Sequence, residues 1–227
     1  MRLAMQVFCR SRMHSRVVTI GGHRLEGSVA MPEHAAGVVV FAHGSGSSRL
    51  SPRNTAVARD LNARGFATLL FDLLTELEAE DRSNVFDIEL LGKRVGEAVL
   101  WARRSPQLES LPIGLFGAST GAAAALVAAA NAPEEISAVV SRGGRPDLAG
   151  AFLPLVRAPT LLIVGGADLG IRELNEQALE ELTCEKRLDI VPRATHLFEE
   201  PGTLEVVVDL AASWFRAHMM AYMGTKL

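Results

Sequence analysis

Residues 113–131 constrain the fold of this chain more than any other stretch. They read I-G-L-F-G-A-S-T-G-A-A-A-A-L-V-A-A-A-N. The short apolar run at the start predicts a buried strand, and the alanine-rich run at the end predicts a buried helix. Between them lies Gly117-Ala118-Ser119-Thr120-Gly121. A strand, a sharp turn with a central serine and a helix together give the pattern G-x-S-x-G a chemical meaning, because this turn presents the serine hydroxyl at the top of a sheet.

The turn makes specific demands on its residues. Ser119 must adopt a strained backbone conformation, and the positions two before and two after it must lack side chains. Both positions are glycine. One alternative is a dinucleotide-binding turn, which is also a strand, glycines and a helix, although the spacing here is not G-x-G-x-x-G. The next predicted strand ends in Ser141-Arg142, and an arginine there suits a 2′-phosphate, so NADP binding stays open as an alternative.

Composition limits the class of protein. The 227 residues suit a single α/β domain over 1–227, with residues 1–13 expected to form a flexible tail. A formal net charge of -3 gives no electrostatic footprint for nucleic acid, and no apolar run approaches a membrane span. Cys9 and Cys184 are the only cysteines, so no disulfide framework is expected and a reducing cytoplasm fits. The N-terminal residues lack the continuous apolar core of a secretory signal.

Strand and helix patterns alternate along the chain. Residues 16–20 and 25–30 alternate in polarity around Gly21-Gly22 and predict a β-hairpin. Buried strands are predicted at 37–42, 66–73, 113–116, 136–141, 160–164 and 188–191. Helices are predicted at 51–64, 88–104, 122–130, 172–182 and 203–222, with a short crossover helix at about 147–153. The acidic residues 75–87 are predicted to be a solvated loop. The expected fold is α/β: a mostly parallel central sheet with helices on both faces and an antiparallel hairpin at the start.

Residues suited to catalysis follow the predicted strands. In such sheets the active site lies beyond the carboxyl ends of the strands. The side chains found there belong to His43, Asp72, Ser119, Arg142, Asp168 and, slightly later, His196.

A serine hydroxyl is a weak nucleophile and requires a nearby base, which histidine supplies near neutral pH. Of the six histidines only His43 and His196 lie on this edge. His196 follows the last strand, and Asp168 follows the strand before it, so Asp168 is predicted to orient His196. Asp72 also ends a strand, but it precedes the serine. The chain order Ser119, Asp168, His196 is that of the α/β-hydrolases.

An oxyanion hole is expected from two backbone amides. One is that of Thr120, directly after the serine, and the other should lie in the loop after the strand 37–42. The Ser45 amide is favoured within His43-Gly44-Ser45-Gly46. His43 is expected to brace this loop through hydrogen bonds.

The sequence resembles the α/β-hydrolase superfamily in G-A-S-T-G, G-G-A-D and A-T-H, which contain Ser119, Asp168 and His196. The segments H-G-S-G-S-S-R, F-D-L-L-T and S-R-G-G-R-P-D are similar to its dienelactone-hydrolase-like branch. They are also similar to members fused to a phosphoribosyltransferase domain, and no such domain is expected here. Dienelactone hydrolases proper use a cysteine nucleophile, whereas this chain has serine. The resemblance therefore implies a serine carboxylesterase.

The predicted activity is hydrolysis of small carboxylic esters through an acyl-enzyme, without a metal or organic cofactor. Lactone hydrolysis, an NADP-binding reductase and a non-catalytic hydrolase-like module are the alternatives. The protein is expected to be a monomer or homodimer. Only residues 142–159 separate two strands where many relatives insert a cap, so no cap domain is expected. An open, shallow site for acyl chains of about two to six carbons is predicted, because little apolar surface would be buried. Arg49, Arg142 and Arg145 form a possible substrate rim.

Overall fold

The apolar runs of the sequence form the centre of an eight-stranded sheet. The structure is a computed structural model that describes residues 14–224, with side chains described for residues 14–220. The predicted tail at residues 1–13 therefore lies outside the described residues. The strands are β1 (His14–Ile20), β2 (Leu25–Met31), β3 (Val38–Ala42), β4 (Ala67–Phe71), β5 (Ile113–Ala118), β6 (Ile136–Arg142), β7 (Thr160–Gly165) and β8 (Lys186–Val191).

Helices connect most of these strands. They are α1 (Pro52–Ala63), α2 (Glu76–Glu80), α3 (Arg82–Phe86), α4 (Ile88–Arg103), α5 (Thr120–Asn131), α6 (Leu169–Glu181) and α7 (Thr203–Gly224), with a 3₁₀ segment at Pro146–Leu155. Capping residues set the ends of several helices. Ser51 caps α1 by accepting a hydrogen bond from the Asn54 amide, and Pro52 occupies the first turn, as the sequence predicts.

The strand order is β1-β2-β4-β3-β5-β6-β7-β8. β1 pairs antiparallel with β2, and β2 pairs antiparallel with β4. The pairs from β4 through β3 to β8 are parallel. The predicted parallel sheet with an N-terminal antiparallel hairpin is confirmed.

The winding direction reverses at β3, which lies between β4 and β5. The chain passes from β3 to β4 on one side and then crosses to β5 on the other. Loops that leave such a switch point in opposite directions open a crevice between them. Here these are the loop after β3, which begins at His43, and the turn after β5, which contains Ser119.

Each face of the sheet is covered by its own apolar layer. One layer includes Val95 of α4, most of the alanines of α5, and Ala178 of α6. The opposite layer includes Leu61 of α1 and Phe215 of α7. Small side chains on α5 allow this helix to pack closely against the sheet and against α4. The rigid sheet thus fixes the loops at its carboxyl edge.

Two local predictions need correction. Residues 75–87 are not a plain loop but contain α2 and α3, because Thr75 and Glu78 form a capping box and Asp81 caps the next turn. Helix α6 begins at Leu169, directly after Asp168, rather than at Arg172. The short crossover helix predicted near residues 147–153 is present as the 3₁₀ segment, which bends at Gly150.

Within residues 14–224, no helix combines the length and the apolar character that a membrane span requires.

Candidate active site

Ser119 lies in a strained turn between β5 and α5. Its φ is 52° and its ψ is -126°, a region that residues with a side chain rarely adopt. Backbone hydrogen bonds hold it there: the Ser119 amide donates to the Arg142 carbonyl at 3.4 Å, and the Arg145 amide donates to the Ser119 carbonyl at 3.0 Å. The loop after β6 therefore fixes the conformation of the serine.

The two glycines of the motif are required by close backbone contacts. A Cβ atom on Gly121 would lie 2.2 Å from the Ala42 carbonyl oxygen. One on Gly117 would lie 2.4 Å from the Cα atom of Ala122. Both distances are far below van der Waals contact with atoms that cannot rotate away. Backbone fills the space beside these glycines, and this packing differs from a glycine turn that lets a pyrophosphate approach.

Asp168 and His196 are in direct contact. Nδ1 of His196 lies 2.7 Å from Oδ2 of Asp168. An ionised carboxylate can only accept, so this contact places the imidazole proton on Nδ1 and leaves Nε2 as an acceptor. That tautomer is the one a general base needs toward a serine hydroxyl.

The loop that carries His196 is anchored on both sides. The Ala167 amide, next to Asp168, donates to the Ala194 carbonyl at 2.9 Å. The buried Phe198 inserts into the apolar layer of α1 and α7. Arg193 and Phe198 both have positive φ, at 63° and 54°, so the loop turns sharply on either side of the histidine.

Gly143 links the histidine to the serine turn. A Cβ atom on Gly143 would lie 3.0 Å from the His196 carbonyl oxygen and 3.6 Å from its Nδ1. The neighbouring Arg142 accepts the amide hydrogen of Ser119. The loop after β6 thus contacts both the His196 residue and the backbone of Ser119. Within the described residues the Ser119 hydroxyl makes no hydrogen bond. Of the candidate triad Ser119, His196 and Asp168, only the last two are therefore joined by a hydrogen bond in the described residues.

His43 is occupied by structural hydrogen bonds. Its Nε2 accepts from the Leu73 amide at 3.1 Å, and its Nδ1 lies 3.0 Å from the Gly44 carbonyl. This pattern requires a neutral ring with the proton on Nδ1. Burial lowers the pKa of His43, and hydrogen bonding to Gly44 and the charge of Asp72 oppose the shift more weakly. His43 thus braces its loop against the segment that follows β4, as the sequence predicts.

The Ser45 amide, predicted as an oxyanion donor, donates to Oγ1 of Thr120 at 2.8 Å. This bond joins the loop after β3 to the first residue of α5. It places the Ser45 amide beside the residue whose own amide is the other predicted donor. In this structure the Ser45 hydrogen is already used, so an oxyanion would share it or replace Thr120.

The three predicted rim arginines do not form a free cationic rim. Arg49 pairs with Asp72 and Glu26, and Arg145 pairs with Asp147. The hydrogen bonds to Asp147 raise the pKa of Arg145.

Arg142 is buried rather than on a rim. Its guanidinium donates to Oδ1 of Asn54 at 3.2 Å, and no described carboxylate pairs with it. Burial, followed by repulsion from Arg53, lowers the pKa of Arg142 to about 10.

The ion pairs also distinguish Asp72 from Asp168 as the candidate partner of His196. Asp72 accepts from the Arg49 backbone amide at 2.7 Å and from the Arg49 side chain. Among the described carboxylates, Asp168 is the one in contact with His196.

A cavity of about 780 Å³ adjoins the site between the loop after β3 and residues 72–91. The prediction of a shallow, open site at Ser119 stays a prediction. The acidic stretch contributes apolar side chains to this cavity, namely Leu77, Ala79 and Val85. A signal for this was present in the sequence, since T-x-x-E at residues 75–78 is a capping-box pattern that starts a helix.

No group of three or more histidine, cysteine, aspartate and glutamate side chains that could hold a metal ion was found among the described residues. Cys184 is a free thiol, and Cys9 lies outside the described residues.

The sheet order, the strained serine after β5, and the aspartate and histidine after β7 and β8 define an α/β-hydrolase-type protein. The chain belongs to the dienelactone hydrolase family, whose model matches residues 25–225.

Two proteins of known structure are similar to this chain. The chain is similar to a dienelactone hydrolase structure from Anabaena variabilis, with 53% identity, a TM-score of 0.88, and coverage of 92% of this chain and 99% of that one. Est1E from Butyrivibrio proteoclasticus shares the fold at 17% identity, with a TM-score of 0.74 and coverage of 91% and 99%.

A curated protein of Mycobacterium tuberculosis, whose name proposes a phosphoribosyl transferase, is 57% identical over 202 residues. The match covers 89% of this chain and 46% of that protein, so the chain spans about half the length of this relative.

Proposed function

We propose that this protein is a serine hydrolase that cleaves carboxylic esters through Ser119, His196 and Asp168. The observation that supports it best is the 2.7 Å contact between Nδ1 of His196 and Oδ2 of Asp168, beside a serine held at a positive φ. Membership of a hydrolase family supports the same reaction class. The choice of carboxylic esters rests on the serine, since a serine–histidine pair is suited to acyl transfer.

In the first half-reaction Ser119 attacks the ester carbonyl. The Ser119 proton passes to Nε2 of His196, and the Asp168 carboxylate stabilises the imidazolium that forms. The carbon–oxygen bond to the alcohol then breaks, and His196 returns the proton to the leaving oxygen. The product of this half-reaction is an acyl-enzyme on Ser119 and a free alcohol.

In the second half-reaction water replaces the enzyme oxygen. His196 removes a proton from water as it attacks the acyl carbonyl, and then returns the proton to Ser119 as the acid leaves. The Thr120 amide and the Ser45 amide are the proposed donors to the negative oxygen in both steps. The Ser45 amide must then release or share its bond to Oγ1 of Thr120.

A lactone is the closest alternative substrate, because the same steps open a cyclic ester and leave acid and alcohol in one product. The family name supports this alternative. The phosphoribosyl transferase name belongs to a relative about twice as long as this chain, and nothing in the described site favours that reaction.

The test compares the purified wild type with Ser119→Ala, using p-nitrophenyl esters, simple lactones and a fluorophosphonate label. The wild type should hydrolyse an ester and take up the label, and Ser119→Ala should lose both, with kcat lower by about a thousandfold or more. Circular dichroism and the unfolding midpoint check that the variant is folded. A folded Ser119→Ala protein with near-wild-type hydrolysis would refute the assignment.

A further inference from the structure

Leucine is the most frequent residue in the wall of the cavity beside the active site. Its volume of about 780 Å³ falls within the range of small-molecule pockets. Six leucines line it: Leu25, Leu50, Leu73, Leu74, Leu77 and Leu91. Such a surface binds apolar groups by removing them from water.

The leucines differ in exposure along the cavity. Leu73 and Leu91 are buried, with exposures of 1% and 3%. Leu50 and Leu77 are 68% and 77% exposed and are among the most exposed large apolar residues described. Single exposed leucines are ordinary, but two on the wall of one apolar cavity form a surface that a ligand can cover.

The charges on the cavity wall largely neutralise each other. Arg49 forms ion pairs with both Asp72 and Glu26. Two further wall residues of opposite charge, Arg24 and Glu76, also line the cavity. The wall therefore carries two arginines and three carboxylates, and because this leaves an excess of a single negative charge, an uncharged apolar group fits it best.

The cavity reaches the nucleophile through the loop after β3. Gly44 and Ser45 line the cavity. A Cβ atom on Gly44 would lie 2.9 Å from Cβ and 3.6 Å from Oγ of Ser119. Since Ser45 is also bonded to Thr120, the cavity wall and the nucleophile turn share these residues.

Helix α2, which contributes Leu77 to the cavity wall, is held in place by the buried side chain of Arg94. The Arg94 side chain is 4% exposed, and its Nη2 atom lies 2.7 Å from Oε1 of Glu78. Glu78 also accepts from the Thr75 amide at 2.9 Å. Hydrogen bonds from Thr75, followed by the charge of Arg94, lower the pKa of Glu78 despite opposing burial. The helix that carries Leu77 is thus fixed at both its cap and its centre.

We propose that this cavity binds the acyl group of the substrate, and that this group is an uncharged apolar chain of medium length, about six to ten carbons. The proposal rests on the proposed esterase function and replaces the short-chain preference expected from the sequence. The carboxylic carbon lies at Ser119 and the chain extends past Gly44 toward Leu73 and Leu91.

The experiment measures kcat/KM on p-nitrophenyl esters from acetate to dodecanoate. A fully buried methylene contributes about fourfold in binding, so a partly exposed chain should raise kcat/KM at least about tenfold from acetate to octanoate. The Leu77→Ser variant should lower kcat/KM for octanoate several-fold more than kcat/KM for acetate. Leu77 is exposed, so this substitution should not prevent folding.

A matched control is Leu100→Ser. Leu100 is also helical, is 52% exposed and lies outside the cavity. This variant should keep the wild-type profile. A second measurement does not depend on catalysis: the Kd values of octanamide and acetamide for Ser119→Ala are determined by calorimetric titration. The Kd of octanamide should be at least about tenfold lower than that of acetamide. The double variant with Ser119→Ala and Leu77→Ser should show a smaller ratio between the two Kd values.

The outcomes separate the two proposals. Ester hydrolysis with a flat or falling profile, or an unchanged profile in Leu77→Ser, overturns the acyl pocket and leaves the esterase function standing. Selective octanamide binding without hydrolysis of any ester overturns the esterase function and leaves an apolar ligand site. If the wild type hydrolyses no ester and Ser119→Ala does not bind octanamide selectively, both the esterase function and the acyl pocket are overturned.

Discussion

The Ser45 amide lies 2.8 Å from Oγ1 of Thr120, so the loop after β3 is tied to the residue that directly follows the nucleophile. Both amides proposed for the oxyanion hole belong to this linked pair. The bond gives the Thr120 hydroxyl a positioning role that its place in the sequence motif does not reveal.

The first prediction concerns this hydroxyl. Thr120→Val keeps the side-chain shape but removes the acceptor for the Ser45 amide, so the loop loses its attachment and kcat should fall by about tenfold or more. Thr120→Ser restores the acceptor and should retain most of the activity. Steady-state kinetics on one soluble ester measures both. A higher kcat in Thr120→Val would instead show that the hydroxyl competes with the oxyanion for the Ser45 amide.

The second prediction compares two aspartates that follow strands. Asp168→Asn keeps the side-chain shape but removes the carboxylate that holds His196, and kcat should fall by about a thousandfold. Asp72→Asn disrupts a pair with Arg49 and should lower kcat far less. Both variants are assayed after their folding is checked. The reverse ranking would assign the orienting acid to Asp72.

The third prediction is a pH dependence of stability. Burial lowers the pKa of His43 below its ordinary value of 6.5, so the unfolded chain binds a proton more readily than the folded one. The contribution of His43 is fully present above pH 6.5 and is lost as the pH falls below it. The wild type should therefore lose unfolding free energy as the pH falls below about 6.5.

His43→Gln tests the assignment because it cannot be protonated and still offers an acceptor to the Leu73 amide. Urea unfolding of this variant should show a smaller loss over the same pH interval. An equal loss in both proteins would place the effect on another group.

The fourth prediction concerns the packing of Gly121. Its added Cβ atom would meet the Ala42 carbonyl oxygen at 2.2 Å, so Gly121→Ala should lower the unfolding free energy by about 3 kcal/mol or more. Gly96 is a helical glycine with open space around its Cβ position. Gly96→Ala should be neutral or stabilising by up to about 1 kcal/mol. Urea midpoints measure both, and equal effects would contradict the contact.

Much of the site could be predicted because it depends on adjacent residues. Gly117, Ser119 and Gly121 lie within one turn, and the backbone geometry that they require is set by local sterics. Asp168 and His196 follow strands whose apolar runs are continuous in the sequence. The topological rule for parallel sheets then brings these residues to one edge, and their contact is present at 2.7 Å.

The sequence by itself determined the order of strands and helices, the serine turn and the positions of the candidate triad, since periodicity and backbone sterics act over a few neighbouring residues. Only the tertiary structure decided which charges pair, which acceptor binds the Ser45 amide, and that residues 75–87 line part of a cavity. Arg94 on α4 reaches Glu78 on α2, and Arg49 in the loop after β3 reaches Asp72 after β4. Such partners depend on distances between residues far apart in the chain, and these distances exist only once the sheet has assembled.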